Sequence, residues 1–325
     1  AIIATGSEPA DIPGIIIDQR FVYDSTGILN LREIPESMII IGGGVIGCEF
    51  AFYFSRLGTQ VSIIEILPNI LPSEDEEIVA FLLKEFKKSG INIYTNSIIQ
   101  KIIINGKVQI SCNNKDLGEI NLEADKVLVS AGRKLNSSGL GLEEIGVRVE
   151  KGAIVVDDKM ETSVKAIYAI GDVTGKRLLA HVASRQAFVA AENATGGYDI
   201  MKYEAIPNCI FTNPEIASVG LTEKEALQQG YEINTGKFDY TALAKARIIG
   251  ENRGIIKVIS DKITGKLLGV SIIGPHATEI IAEATTAVSL GAKMGELSKI
   301  IHAHPTIAEG LMEAFHDVHK ISIHK

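Results

Sequence analysis

The stretch that most constrains this chain runs from Ser37 to Glu49, where the short apolar run 38–41 passes straight into Gly42-Gly43-Gly44-Val45-Ile46-Gly47-Cys48-Glu49. The run has the length and β-branched content of a buried strand. The spacing Gly42-x-Gly44-x-x-Gly47 then opens a helix through Phe50, Ala51, Phe52, Tyr53 and Phe54 that ends near Gly58. The three glycines play different parts. Gly42 permits the tight turn, Gly44 lets the backbone approach a pyrophosphate, and Gly47 lets the helix pack closely on its strand. The positive end of the helix dipole then faces the phosphates. A second strand over 60–64 ends at Glu65. That puts a carboxylate ~20 residues beyond the turn, placed to accept from a ribose 2′-hydroxyl and to repel a 2′-phosphate. The pattern predicts a dinucleotide site that favours NAD over NADP. A simple packing turn accounts for the glycines, but not for strand, helix, second strand and terminal acid together.

With 325 residues and 46% hydrophobic content, the chain can bury a large core and divide into two or three domains. A formal charge of −8 with no clustered Lys and Arg argues against a nucleic-acid partner. Glu49 and the glycines interrupt the apolar run long before it could span a bilayer, and no signal peptide is evident, so no membrane role is expected. Cys48, Cys112 and Cys209 are odd in number and lack Cys-x-x-Cys spacing. The expectation is three structural thiols, no metal site and a reducing cytoplasm.

The opening residues 1–6 read as a strand with no partner in preceding sequence, its neighbours expected elsewhere or missing. Residues 23–36 read as a connector. After Glu65 come a helix from Ser73-Glu74-Asp75-Glu76 to about Lys88, a parallel strand at 91–94, and a hairpin of 98–104 with 107–111 across a two-residue Asn105-Gly106 turn. The buried strand beginning at Lys126 leads to Gly132, which is read equally as a strand-to-loop glycine or as a residue beside the cofactor. Strands at 153–157 and 166–170 follow, the second leading to Asp172, where spacing alone favours a loop acid over a ligand for a sugar-like hydroxyl. Leu178, Leu179, Ala180 and His181 lead a helix through Ala194. From Met201 the pattern becomes antiparallel strands with segregated helices, an α+β domain, with strands at 206–211, 217–219, 233–240, 254–260 and 266–273 and closing helices at 277–290 and 306–318.

His304-Pro305-Thr306-Ile307-Ala308-Glu309 places a histidine just before that last helix, with Glu309 able to reach back to one ring nitrogen. A carboxylate so bonded orients an imidazole and raises its basicity, freeing the other nitrogen to move a proton near neutral pH. A helix-start histidine beside a merely charged neighbour fits the spacing as well. Metal binding by His302 and His304 is disfavoured, because no third ligand stands at a usual spacing.

Taken together, these residues resemble the dihydrolipoyl dehydrogenases, FAD-dependent pyridine nucleotide-disulfide oxidoreductases, over nearly the whole chain. The resemblance is carried, in the family's order, by Ala4-Thr5-Gly6-Ser7, the segment 42–49, Glu65, Ala131-Gly132-Arg133, Ile170-Gly171-Asp172, the segment 178–181, His302-Ala303-His304-Pro305-Thr306 with Glu309, and a tail from Ala314 to Lys325. It implies an α/β fold with a Rossmann-like NAD domain and a partial FAD domain, followed by an α+β interface domain for dimerisation. The implied division is an FAD-domain remnant at 1–34, the NAD domain at 35–150, a second FAD segment at 151–201 and the interface domain at 202–325.

The implied activity passes electrons from a dihydrolipoyl dithiol through an enzyme disulfide and FAD to NAD. Gly42, Gly44, Ile46, Gly47, Glu49, Glu65, Ile98 and Gly132 are implied at the NAD site, and Thr5, Gly6, Asp172, Leu178, Leu179, Ala180 and His181 at FAD. His304 and Glu309 become the acid–base pair, reaching the dithiol site of the other subunit of a homodimer, and the expected partners are lipoyl domains of 2-oxoacid dehydrogenase complexes or of the glycine cleavage system. The chain departs from the family in lacking a first dinucleotide turn and a Cys-x-x-x-x-Cys pair. It is therefore expected to be a fragment that does not oxidise dihydrolipoamide alone. The competing readings are a related flavoprotein disulfide reductase or transhydrogenase, and a catalytically silent NAD-binding dimer module.

Overall fold

The computed structural model describes residues 1–324; Lys325, the end of the tail, lies outside them. The chain forms two compact units, one made of Ala1–Ile15 and Ala131–Tyr203, the other of Ile16–Ser130 and Glu204–Lys325.

The larger unit contains a five-stranded parallel sheet in the order Val22–Asp24, Lys126–Val129, Ser37–Ile41, Gln60–Ile64, Asn92–Tyr94. Strands covered on both faces read as unbroken apolar runs, which is why Met38, Ile39, Ile40 and Ile41 are all buried. The helix Val45–Arg56 turns Gly47, Cys48, Ala51 and Phe54 inward, one face at helical spacing. The helix Glu76–Lys88 starts on Asp75, whose side chain accepts from the Glu77 N–H, and closes on Lys87 and Lys88. The segment read as a connector contributes the edge strand Val22–Asp24; three residues are too few to show a period.

The expected hairpin is a three-stranded meander of Ser97–Asn105, Lys107–Asn114 and Gly118–Ala124. Asn105 lies opposite Lys107, so Gly106 alone, at φ 74°, forms the apex, rather than the two-residue turn read from Asn105-Gly106. The same unit carries an antiparallel sheet ordered Asn208–Ile210, Glu215–Gly220, Leu267–Gly274, Ile255–Asp261, Ile233–Asp239. Helices Ala277–Leu290 and Glu309–Val318 cover it, packing Ile281, Ala284, Leu311 and Phe315 on Val258, Val270 and Ile272. Ile210, Ile216 and Ile273 also join the parallel-sheet core around Met38 and Ile40, so the two sheets share apolar packing.

Charge reinforces that junction. Lys257, 2% exposed, donates to both Asp75 oxygens at 3.0 and 2.9 Å and to Glu77 at 3.1 Å, and pairs with Glu223 at 2.6 Å. Burial would lower its pKa, but the bonds to Glu223, Asp75 and Glu77 prevail and hold the ammonium charged.

The smaller unit is built from short pairs. Ile2–Ile3 pairs in parallel with Tyr168–Ala169, so the opening strand finds a neighbour more than 160 residues later in the chain, which the sequence did not reveal. Ser7–Pro9 pairs antiparallel with Arg133–Leu135, and Val149–Glu150 with Ala153–Ile154. The strands expected at 153–157 and 166–170 shrink to two residues each, because turns around Asp157 and Thr162 take over the flanking backbone bonds. A 3-10 turn, Gly171–Thr174, leads to the helix Ala180–Ala194. Among the described residues, no helix is long and apolar enough to cross a membrane.

Candidate functional site

At the glycine turn Gly42 has φ 110° and its N–H donates to the Ile64 carbonyl at 2.9 Å, tying the turn to the neighbouring strand. A Cβ on Gly47 would lie 2.0 Å from the Gly42 carbonyl oxygen and 2.9 Å from Ser130 Oγ, so only glycine permits this approach of helix to strand. A Cβ on Gly44, the residue that caps the helix, would meet nothing within 4 Å. The backbone there faces open space, and the first helical amides, including that of Ile46, emerge beside it.

Glu65 is buried under the turn. Its Oε2 accepts from the Gly43 N–H at 2.6 Å and its Oε1 from the Leu67 N–H at 2.7 Å. The carboxylate read from sequence as a ribose acceptor thus also braces the turn, and each oxygen keeps a further lone pair. Gly43 is fixed by the same arrangement, since a Cβ there would lie 2.6 Å from Ile70 Cγ2. Its position inside the motif's variable slot gave no sequence signal. The Ser97 N–H donates to the Glu65 carbonyl at 3.0 Å, which brings the half-exposed Ile98 to this end of the sheet. On the outer side of the helix, Glu49 Oε1 accepts from the Phe211 N–H at 2.9 Å; burial raises the Glu49 pKa against that bond. An open backbone at a helix N-terminus, with a carboxylate at the end of the next strand, fits a dinucleotide.

The smaller unit gathers the other predicted ligands. Thr5 Oγ1 donates to the Asn136 carbonyl at 2.6 Å, and Gly6 has φ 71° with open space where a Cβ would stand. Asp172 lies in the 3-10 turn after Gly171, whose N–H donates to the fully buried Gln186 at 2.6 Å. Its Oδ2 accepts from Ser7 Oγ at 2.5 Å, and Arg133 Nε donates to the same Ser7 oxygen at 2.6 Å. Sequence reasoning missed Ser7 and Arg133 as holders of Asp172; only their pairing across Ser7–Pro9 and Arg133–Leu135 brings them together. Leu178 and Leu179 lead into the helix at Ala180 and His181, with Leu179 at its cap. Gly132, at φ 121°, belongs to this unit, and its carbonyl accepts from the Ala10 N–H. The open backbone at Gly6 and the fixed Asp172 carboxylate suit a polyhydroxy chain.

The third group sits before the last helix. Glu309 accepts from His304 Nδ1 at 2.8 Å through Oε1 and from the Thr306 N–H at 2.8 Å through Oε2. The His304 side chain is 69% exposed and the Glu309 side chain 12%. The carboxylate is thus fixed in protein while Nε2 of the ring remains available to a ligand. The helix begins at Glu309, three residues later than expected, because Thr306 is held in a turn by Glu309 and by its own hydroxyl bond to the Ala303 carbonyl. His302 and His304 do not converge: His302 bonds Glu283 instead. Among the described residues, no group of three or more His, Cys, Asp and Glu could hold a metal ion. Cys48, Cys112 and Cys209 are free, and burial pushes all three thiols up, with Glu65 and Glu49 adding to the effect on Cys48. None is an activated thiolate.

Comparison with known proteins identifies the family. Residues 1–187 match the family model described as pyridine nucleotide-disulphide oxidoreductase, and residues 206–315 match its dimerisation domain. Dihydrolipoyl dehydrogenase of Thermus scotoductus is 43% identical over 99% of this chain and 70% of its own length. That of Chlamydia pneumoniae is 44% identical over 95% of this chain and 66% of its own. That of Bacillus subtilis is 41% identical over 96% and 67% respectively. The chain therefore spans about two thirds of the length of these relatives. Among solved structures, LpdA from Mycobacterium tuberculosis superposes with TM-score 0.88 at 27% identity, covering 97% of this chain and 68% of that one. The HOCl-induced flavoprotein disulfide reductase RclA from Escherichia coli gives 0.87 at 31% identity, with 97% and 72% covered. An NAD-type glycine turn, a fixed carboxylate beside an open loop and a dimerisation domain ending in a His–Glu pair occur in one chain, and that chain belongs to the FAD-dependent pyridine nucleotide-disulphide oxidoreductase family.

Proposed function

We propose that this chain carries the NAD-binding, FAD-contacting and proton-transfer parts of a dihydrolipoyl dehydrogenase acting as a cytoplasmic homodimer on protein-bound lipoyl groups. The observation that carries the reading is the 2.8 Å bond between His304 Nδ1 and Glu309, which leaves Nε2 of a largely exposed ring facing outward. Held in that tautomer, Nε2 takes a proton from a dithiol sulfur, and Glu309 stabilises the imidazolium that forms.

Gly44 and the helix amides beside Ile46 receive the pyrophosphate of NAD, Gly42 and Gly47 hold that helix in place, and Glu65 selects a ribose with a free 2′-hydroxyl. Ile98 is assigned to the same nucleotide, with Glu49 on the nicotinamide side. Asp172, fixed by Ser7 and Arg133, orients the ribityl hydroxyls of FAD, with Thr5, Gly6, Leu178, Leu179, Ala180 and His181 along the same cofactor. FAD, when bound, supplies the two-electron relay between sulfur and nicotinamide. The exchanging sulfur pair is not found among Cys48, Cys112 and Cys209, whose raised thiols favour, for this chain on its own, the reading of a silent NAD-binding module.

The test is His304→Ala in the holoenzyme. Dihydrolipoamide oxidation is expected to fall about 10²–10⁴-fold, the range of a lost acid–base group, while NADH-driven reduction of an artificial acceptor stays near its original rate. Equal losses in both assays reject the proton-transfer role.

A further inference from the structure

Two residues before His304, a second histidine is bound to a second carboxylate, and the two rings are placed very differently. His302 Nε2 lies 2.9 Å from Glu283 Oε1, and its Nδ1 lies 3.2 Å from the Ile300 carbonyl oxygen. Its side chain is 6% exposed, against 69% for His304. A neutral imidazole offers one donor and one acceptor, whereas a carbonyl and a carboxylate can only accept. The ring that satisfies both partners is the imidazolium. The Glu283 bond outweighs the opposing effect of burial and raises the His302 pKa. The charged groups acting on this cation are Glu283 from the helix Ala277–Leu290 and Glu309 from the helix Glu309–Val318. His316, on that last helix, directs Nε2 at the Ser298 carbonyl at 2.8 Å.

The loop that carries His304 is therefore held at both ends. On one side Thr306 and Glu309 fix it to the last helix; on the other His302 and Glu283 fix it to the helix Ala277–Leu290. We propose that His302, bound to Glu283 and the Ile300 carbonyl, is a positioning residue that holds the loop so that His304 presents Nδ1 to Glu309 and Nε2 to the substrate thiol. This rests on the acid–base reading of His304. Glu309 supplies the acceptor for the ring's inner nitrogen, but does not by itself bring the ring to it. The backbone from 300 to 304 can still swing about that contact unless something buried holds its other end, and a ring only 6% exposed provides that hold. A small displacement of a proton-transfer group is costly because the reacting atoms must approach within hydrogen-bond distance.

The test uses this chain labelled with ¹⁵N-histidine. In the unsubstituted chain the neutral His304 ring is expected as the Nδ1-protonated tautomer. His302→Ala and Glu283→Gln should both raise the Nε2-protonated fraction, Glu283→Gln less because it is nearly isosteric and keeps the fold, while His302→Gln, whose amide can still donate to Glu283, should restore it. In the holoenzyme, His302→Ala should slow dihydrolipoamide oxidation about tenfold, a cost in keeping with imperfect alignment, with NADH-driven reduction of an artificial acceptor unchanged and His302→Gln rescuing most of the loss. A His304 tautomer that ignores both His302→Ala and Glu283→Gln overturns the positioning role. A responsive tautomer combined with undiminished dithiol oxidation in His304→Ala upholds the positioning and removes the acid–base reading instead.

Discussion

The two compact units hold their candidate ligand groups by opposite means. In the larger one the glycine turn sits at the end of a five-stranded sheet and its geometry is set by backbone: Gly42 bonds Ile64, Gly47 rests against the Gly42 carbonyl, and Glu65 serves as a brace. In the smaller one strands are two or three residues long, and Asp172 is placed by side chains, Ser7 and Arg133, brought together by one short antiparallel pair. The difference teaches where each site is vulnerable. A backbone-built site fails when the frame is strained, whereas a side-chain-built one fails by loss of single bonds, each worth little.

The hardest test of that contrast is Lys257→Met. Removing the ammonium leaves Asp75, 3% exposed, without its cation, while Glu77 keeps Lys237 at 2.6 Å. Breaking a buried pair from one side costs about 3–5 kcal/mol. Urea unfolding should show that loss, together with weaker NAD binding as the helix begun at Asp75 loosens. A loss below about 1 kcal/mol, the scale of an exposed pair, would mean that apolar packing alone joins the two sheets.

Next in size is Gly47→Ala. The added methyl meets the Gly42 oxygen at 2.0 Å, so the helix must move away from its strand. Overpacking of this kind costs about 2–3 kcal/mol. Isothermal titration should also find NAD affinity reduced at least about tenfold, since the helix amides shift from the pyrophosphate. Gly44→Ala is the informative control: it meets nothing within 4 Å of the protein, so it should spare stability and harm only binding.

How much of this was readable beforehand follows from the same contrast. The parallel sheet announced itself because the short apolar strands 38–41 and 60–64 run straight into a glycine turn and a terminal acid, and the inner antiparallel strands because they are largely apolar runs of six or more residues. The His304–Glu309 bond was one of two geometries that the spacing allowed, and the family resemblance chose between them. What stayed hidden was non-local: Ile2–Ile3 finding Tyr168–Ala169, Ser7 and Arg133 converging on Asp172, His302 reaching Glu283, and Lys257 sitting among carboxylates from two other segments. No local period encodes such meetings.

One part of the larger unit is held by side chains, and it sharpens the comparison. Glu313, 1% exposed, accepts from Ser322 Oγ at 2.6 Å, from the Ile323 N–H at 2.9 Å and from His324 Nδ1 at 2.7 Å. Burial pushes its pKa up, but these bonds prevail and hold it below the usual value. A carboxylate with a lowered folded-state pKa adds stability above its unfolded value of about 4.3, and that stability is lost as pH falls through the folded value. Glu313→Gln should therefore cost about 1.5–2 kcal/mol at pH 7, with the difference from the parent shrinking as pH drops below about 4. A pH-independent difference would assign the effect to shape rather than charge.

Ser7→Ala is the smallest effect and the one most able to break the contrast. It removes the donor to Asp172 Oδ2 and the acceptor of Arg133 Nε, yet Arg133 Nε already lies 3.8 Å from Asp172 and can close on it directly. With that replacement at hand, the loss should be about 1 kcal/mol, the net worth of an ordinary hydrogen bond. Hydrogen exchange should rise at Gly171 and Asp172 and not at the amides of 38–41. Arg133→Ala combined with Ser7→Ala should lose more than the sum of the two singles, because each partner substitutes for the other. Strict additivity would show that Asp172 is held by its own turn instead, through the backbone bond from the Gly175 N–H to the Asp172 carbonyl, and the smaller unit would then be fixed by its backbone just as the larger one is.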